Sequence, residues 1–319
     1  GNLTQMGTQP NATANSVIRS SYEKINKQLQ YSYDVVIFPF DWRKPMNLLA
    51  ADLDKKIQEL LKFKQPIKIV GHSMGGVLVR DFMVYHPTTW ETLNKSEGFK
   101  LLFLGSPLLG SHRILTVLFG LDGIIKKLSF LDIHHSKKEL VEVFSNLSGI
   151  LALLPFTTSK EDDYANIAVW NKMRSAFEDT TWPIPSATLL EQFKNYRDKI
   201  LSTLKGDIDY SNVYYIAGQD KKTPFRHFIK DGKLEFEYTK EGDQSVTWES
   251  GIPKPLIALN HVYYSQTTHG ELANDSKLFS AIEEILAFGN TNKLSQTKPV
   301  FRDGVIAAST PEYTDFDYS

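Results

Sequence analysis

Leu49, Leu53, Ile57, Leu60 and Leu61 recur at helical spacing over a charged opposite face. This predicts an amphipathic helix entered near Pro45, which suits an early helical position, and stopped by Gln65-Pro66. Similar reasoning predicts helices over Val17–Gln30, over Gly76–Tyr85 up to His86-Pro87, and through Leu278, Ile282, Ile285 and Leu286. Between them lie short, nearly continuous apolar runs: Tyr33–Phe38, Ile67–Val70, Lys100–Leu104, Val213–Gly218 and Leu256–Tyr264. Runs of that length read as strands buried on both faces. Strands alternating with helices in this way predict βαβ units around a parallel sheet.

The alternation breaks over residues 108–210. Ile114–Phe119, Ile124-Ile125 and Ile150–Pro155 suggest helices with apolar faces, inserted between two strands. The insertion reads as a largely helical cap that walls an apolar pocket; ordinary core-packing helices are the plainer reading. Phe228–Phe236 reads as a β-hairpin turning at Asp231-Gly232. Beyond Gly289 the chain becomes polar, with late aromatics at Tyr313, Phe316 and Tyr318. The expected division is a body over 1–289 and a tail or linker over 290–319.

Composition narrows the class. Of 319 residues, 41% are hydrophobic and 23% charged, enough to bury a sizeable core. A net charge of −1 gives no reason to expect a nucleic-acid partner. The absence of cysteine excludes disulfide scaffolds and thiolate chemistry. No apolar run is long enough to span a bilayer, and residues 1–15 are too polar for a signal peptide. These features leave the compartment open, the cytoplasm being the expectation they favour. Asn2-Leu-Thr and Asn146-Leu-Ser match the glycosylation triplet, which is common by chance.

The candidate chemistry lies at Gly71-His72-Ser73-Met74-Gly75, between an apolar strand and an amphipathic helix. A G-x-S-x-G in that setting is a nucleophile elbow: the serine sits on a sharp turn with its hydroxyl clear of the backbone. Side chains at Gly71 and Gly75 are expected to collide where the helix folds back past the strand. The N–H of Met74, at the helix start, would face a developing oxyanion. The plainer reading is a glycine-rich turn with a spectator serine.

A nucleophilic Ser73 needs an imidazole base and a carboxylate to orient it. In elbow-type hydrolases the order is Ser, acid, His. His86, His112, His134 and His135 come too early, His227 opens the hairpin, and His261 lies within the last strand. His269, in a loop before the final helix, is the expected base. Two acids remain open: Asp220 directly follows the Val213–Gly218 strand, and Asp243 follows the hairpin. Position alone favours Asp220.

Several segments, in order from about Ser20 to Phe288, resemble the lecithin–cholesterol acyltransferase family of α/β-hydrolases. They are Pro39-Phe40-Asp41-Trp42-Arg43, Gly71–Gly76, Gly105-Ser106-Pro107 with Gly110-Ser111, Leu153-Leu154-Pro155, Thr223-Pro224, Gly242–Val246 and His269-Gly270-Glu271-Leu272. The resemblance implies an α/β-hydrolase fold and a serine acyl hydrolase or acyltransferase of lipid esters, with Ser73, Asp243 and His269 as the triad. It implies that Asp41-Trp42-Arg43 braces the cap and pocket. Gln244, Ser245 and Thr247 depart from the family's G-D-G-T-V-P pattern. The family's upstream strand, whose following loop donates a second oxyanion N–H, is not found in this sequence, and the chain is expected to lack it. No metal or cofactor is required. The implied partner is a lipid or other ester, with peripheral membrane contact as a further expectation. A non-catalytic module of a larger protein and a hydrolase of small esters are the alternatives.

Overall fold

The computed structural model describes residues 19–124, 136–301 and 305–307. Helix α1 (Arg19–Leu29) is followed by an irregular stretch and by α2 (Met46–Leu61). Strand β1 (Lys68–His72) leads through the elbow into α3 (Met74–Tyr85), and His86-Pro87 turns the chain into α4 (Pro87–Asn94). Strand β2 (Lys100–Leu104) opens onto a helical stretch: α5 (Arg113–Leu118), α6 (Lys137–Ser145), α7 (Ser148–Leu151), α8 (Ile167–Ser175) and α9 (Ala187–Leu204). Then come β3 (Val213–Gly218), a hairpin of β4 (Thr223–Lys230) and β5 (Lys233–Thr239), and the short helices α10 (Trp248–Gly251) and α11 (Lys254–Ala258). Strand β6 (Val262–Ser265), helix α12 (Ser276–Phe288) and strand β7 (Val305–Ala307) complete the order.

Strands β1, β2, β3 and β6 pair in that order, all parallel. Their side chains alternate between the faces, as a period of two requires. Leu101, Phe103, Val213, Tyr215, Val262 and Tyr264 pack with α2 and α3. Leu102, Leu104, Tyr214, Ile216 and Tyr263 pack with α1 and α12. The sheet is thus covered on both sides, which explains the unbroken apolar runs of β2 and β3.

A second apolar cluster gathers the helices between β2 and β3. Phe119 stacks on Trp170, and Leu151, Leu154 and Phe193 close around them. Phe236 and Tyr238 of β5 belong to the same cluster, so the hairpin packs with this helical layer. Asp231 (φ 50°) and Gly232 (φ 73°) both take the left-handed conformations of a two-residue hairpin turn. A buried group ties the layer to α3: Arg80 donates to Asp81, to Tyr196 of α9 and to the Leu108 carbonyl. Tyr196 in turn donates to Asp81 at 2.8 Å.

Two expected strands differ in the structure. Residues 33–38 form no ladder with any described residue, and Val36 and Ile37 are exposed. Apolar composition there is strand-like, but a strand also needs a neighbour to satisfy its backbone groups. Leu256–Leu259 is helical or turned: Pro253 precedes α11, Pro255 sits in its first turn, and Asn260 at φ 58° reverses the chain before β6. The polar stretch beyond Gly289 stays on the body. Tyr264 N–H donates to the Ser295 carbonyl at 2.8 Å, Phe301 lies against Trp248, and β7 pairs with β5. Tyr313, Phe316 and Tyr318 lie outside the described residues.

At the elbow the crowded glycines are Gly71 and Gly76, and the expected collision at Gly75 is absent. A Cβ on Gly71 would approach Gly76 Cα to 2.8 Å, and one on Gly76 would meet Ser106 Oγ at 1.9 Å and Phe103 at 2.9 Å. A Cβ on Gly75 would meet nothing within 4 Å. The close approach of α3 to the strand ends therefore rests on Gly71 and Gly76. Gly76→Ala should destabilise the protein by about 1–3 kcal/mol, the usual cost of overpacking, while Gly75→Ala should stay within about 0.5 kcal/mol of the parent. Thermal or denaturant unfolding of the two variants checks the difference; equal losses would contradict the packing argument.

Candidate active site

Ser73 lies between β1 and α3 with φ 53° and ψ −127°. This is a sparsely populated backbone conformation for a residue with a side chain. The turn is held by Ser73 N–H donating to the Leu104 carbonyl at 3.1 Å and by Ser106 Oγ–H donating to the Gly71 carbonyl at 2.9 Å. Tyr215 Oη–H donates to the Ser106 carbonyl at 2.8 Å. Met74 opens α3, so its N–H belongs to the first-turn donors that the helix itself leaves unsatisfied.

His269 sits between β6 and the 3₁₀ turn Gly270–Ala273. Its Nε2 is 2.8 Å from Ser73 Oγ, and its Nδ1 is 2.9 Å from Asp243 Oδ2. Asp243 is 1% exposed. Its other oxygen accepts the N–H groups of Ser245 (3.0 Å) and Val246 (2.8 Å). A carboxylate so placed is fully engaged, and only Oδ2 is left to orient the imidazole. The two loops are also joined through their backbones, His269 N–H donating to the Asp243 carbonyl at 2.8 Å.

The end of β2 makes room for both side chains. Gly105 has φ 53°, and a Cβ there would lie 2.6 Å from Asp243 Oδ2 and 3.3 Å from His269 Nδ1. The acid loop is pinned from the helical layer as well. Ser111 Oγ donates to the Ser245 carbonyl, and Arg113 donates to Ser245 Oγ and to Asp122 at 2.8 Å. Asp220, the other acid candidate, donates its N–H to the Gly242 carbonyl at 2.7 Å and supports the base of this loop. The carboxylate that meets His269 is Asp243.

None of the other described histidines takes the place of His269 beside Ser73 and Asp243. His261 precedes β6, stacks on Tyr214 and lies 2.9 Å from the Val213 carbonyl through Nδ1. His227 lies 2.7 Å from Tyr164 Oη, and burial lowers its pKa. Burial also pushes His112 down to about 3. His86 lies 3.5 Å from Asp54. His134 and His135 fall outside the described residues. Sequence reasoning missed His72. Its Nε2 is 2.8 Å from the His269 carbonyl and its Nδ1 is 2.8 Å from Tyr22 Oη. Burial, and next the nearby His269, lower its pKa to about 4, so it is neutral near pH 7. Its place directly before the serine was visible, but nothing local pointed to Tyr22.

Asp41 and Arg43 form a paired ion bridge at 2.7 and 2.8 Å, and Arg43 holds the Asp41 carboxyl below its usual range. Trp42 lies edge-on to Phe144, and Gly149 N–H donates to the Arg43 carbonyl at 3.4 Å, so this segment seats on α6 and α7. A cavity of about 400 Å³ opens nearby, lined by Met46, Tyr85, Leu151, Leu189, Phe193 and Tyr196. Ser73, Met74, Asp243 and His269 are not among the residues that line it. Among the described residues, no group of three or more metal-ligating side chains is assembled, and no helix is long and apolar enough to cross a membrane.

The family model for lecithin:cholesterol acyltransferase matches residues 21–270. The chain belongs to that family. Its parallel sheet with helices on both faces is the α/β-hydrolase fold of that family. Phospholipase A(1) LCAT3 of Arabidopsis thaliana is 27% identical over 187 residues, which are 58% of this chain and 40% of that protein. The chain thus spans well under half of that relative's length. Among solved structures, the lipase BlEst2 of Bacillus licheniformis aligns in its mature form with TM-score 0.42 and 14% identity, covering 86% of this chain and 89% of that one. Its propeptide form gives the same TM-score and identity, covering 84% and 47%.

In the segment from Gly242 to Thr247, the residue after Asp243 is Gln244. Gln244 has φ 87°, a conformation that glycine adopts without steric cost. Its N–H donates to Thr223 Oγ1 at 2.9 Å, which helps hold the strained turn beside Asp243. Gln244→Gly relieves strain of about 1–2 kcal/mol, partly offset by about 0.4–1 kcal/mol of added freedom in the unfolded chain. A net gain of about 0.5–1 kcal/mol is expected by denaturant unfolding, and a destabilised Gln244→Gly would contradict the strain at this turn.

Proposed function

We propose that the chain carries the active site of a serine acyl hydrolase or acyltransferase of lipid esters. Ser73 is the nucleophile, His269 the general base and Asp243 the acid. The observation that carries this reading is one continuous line of contacts: Ser73 Oγ to His269 Nε2 at 2.8 Å, and His269 Nδ1 to Asp243 Oδ2 at 2.9 Å. Membership of the lecithin:cholesterol acyltransferase family and the phospholipase named among its relatives support a lipid ester as the substrate class. Peripheral contact with a lipid surface goes with that substrate.

Ser73 Oγ attacks the ester carbonyl while His269 Nε2 takes the hydroxyl proton. Asp243 fixes the tautomer of His269 and stabilises the imidazolium that forms. Met74 N–H donates to the tetrahedral oxyanion; one such donor is typically worth about 3–4 kcal/mol. Collapse breaks the bond to the leaving alcohol, which takes the proton back from His269, and the acyl group stays on Ser73. Water or an acceptor alcohol, deprotonated by His269 Nε2, then attacks the acyl carbonyl, and Ser73 Oγ leaves with that proton from His269. The helices between β2 and β3 act with the hairpin as a cap. Through Ser111 and Arg113 that cap is wired to the acid loop.

The test is ester turnover together with fluorophosphonate labelling of the full-length protein. Ser73→Ala should lower kcat by about 10⁶ and abolish labelling. Asp243→Asn should lower kcat by about 10⁴, and Asp220→Asn should change it only a few-fold. Turnover retained by Ser73→Ala would overturn the reading, and the reverse order of the two aspartates would move the acid role to Asp220. Rates on a p-nitrophenyl ester series should rise with acyl length; a preference for acetate would replace the lipid substrate with a small ester.

A further inference from the structure

Two side chains outside the Ser–His–Asp line are engaged with it. His72 directly precedes Ser73, yet its ring reaches the backbone of the residue 197 positions later, lying 2.8 Å from the His269 carbonyl through Nε2. Tyr22, on α1, lies 2.8 Å from His72 Nδ1 through its hydroxyl. The proton placement follows from the partners. A carbonyl only accepts, so Nε2 carries the hydrogen; the neutral ring then presents a lone pair at Nδ1, and the Tyr22 hydroxyl donates to it. Both ring nitrogens are satisfied in this one arrangement.

We propose that Tyr22 and His72 form a positioning pair that fixes the base His269 against the nucleophile. The proposal rests on the reading of Ser73 and His269 given above. The backbone of His269 is anchored on both sides, its N–H on the Asp243 carbonyl and its C=O on His72, each at 2.8 Å. The second anchor comes from the residue next to Ser73, so it sets the base relative to the attacking hydroxyl in the shortest available way. Tyr22 fixes the ring in the tautomer that can donate.

The pair also has to remain uncharged. The rings of His72 and His269 are 5.1 Å apart, and an imidazolium forms on His269 during the reaction. A positive His72 would oppose that charge. Tyr22 from α1 and His269 and Asp243 from the two catalytic loops are the titratable groups that bear on His72. Burial and His269 lower its pKa to about 4, with Asp243 acting the other way, and the Tyr22 donor occupies the nitrogen a proton would take. Tyr22 is itself held far from ionisation, since burial raises its pKa.

The experiment compares Tyr22→Phe, His72→Leu and His72→Gln with the parent in the full-length protein. The readouts are kcat and KM on p-nitrophenyl butyrate, with thermal unfolding in parallel. Tyr22→Phe should lower kcat by about 3- to 10-fold, the worth of one net hydrogen bond, with KM unchanged. His72→Leu leaves the His269 carbonyl without its donor and should lower kcat by about 10- to 100-fold. His72→Gln keeps a neutral donor and should recover most of that loss. A Tyr22→Phe enzyme with unaltered kcat, or a His72→Gln enzyme no better than His72→Leu, overturns the pair. Should His72→Leu not fold, Tyr22→Phe decides alone. If Tyr22→Phe has parental kcat while Ser73→Ala is inactive, the pair fails and the triad reading stands. Turnover retained by Ser73→Ala removes both.

Discussion

A serine held at φ 53° between a buried strand and a helix carries about 1–3 kcal/mol of backbone strain, so its surroundings must over-determine it. They do so by close packing. Helix α3 can fold back over the strand ends only because Gly71 and Gly76 touch backbone and Ser106 where any side chain would collide. Ser106 Oγ then closes on the Gly71 carbonyl, and Tyr215 holds the carbonyl of Ser106. The turn is therefore fixed by the sheet it projects from, and the serine hydroxyl inherits its position from β1, β2 and β3.

The same strand ends receive the other two side chains. Gly105, at the end of β2, leaves the space into which Asp243 and His269 fit. The acid loop hangs from the hairpin side, through Thr223, and from the helical layer, through Ser111 and Arg113. Three separate parts of the chain thus converge on one point. They are joined to one another at the backbone of His269, whose carbonyl meets the His72 ring and whose N–H donates to the Asp243 carbonyl. Each of the three side chains is held by contacts besides those they make with one another, which is what preorganisation of a proposed triad requires.

Much of this was legible in the sequence, for identifiable reasons. Strands β2 and β3 match their apolar runs because both faces are buried and nothing interrupts them. Ser73 and His269 follow from local pattern and chain order. Asp243 needed family resemblance, because position along the chain favours Asp220 and only the fold of the loop decides which carboxylate meets the imidazole. Three of the failures share a cause. Residues 33–38 are as apolar as a strand, but pairing is a property of neighbours. The choice between Gly75 and Gly76 depends on where Ser106 lies, some 30 positions away. Tyr22, on another helix, could be linked to His72 only through three dimensions. Leu256–Leu259 was readable in principle, since Pro253 and Pro255 mark a helix start more strongly than the flanking aliphatic residues mark a strand.

The central claim is that Ser73 carries the acyl group between donor and acceptor. The most direct measurement is to mix the full-length protein with an activated long-chain ester, quench in acid within the first turnover and locate the acyl group by peptide mass spectrometry. The account predicts a single acyl adduct on Ser73 that forms with the burst of released alcohol and decays at the steady-state rate. A burst with the acyl group on another side chain, or turnover with no adduct on Ser73 at any quench time, would contradict it.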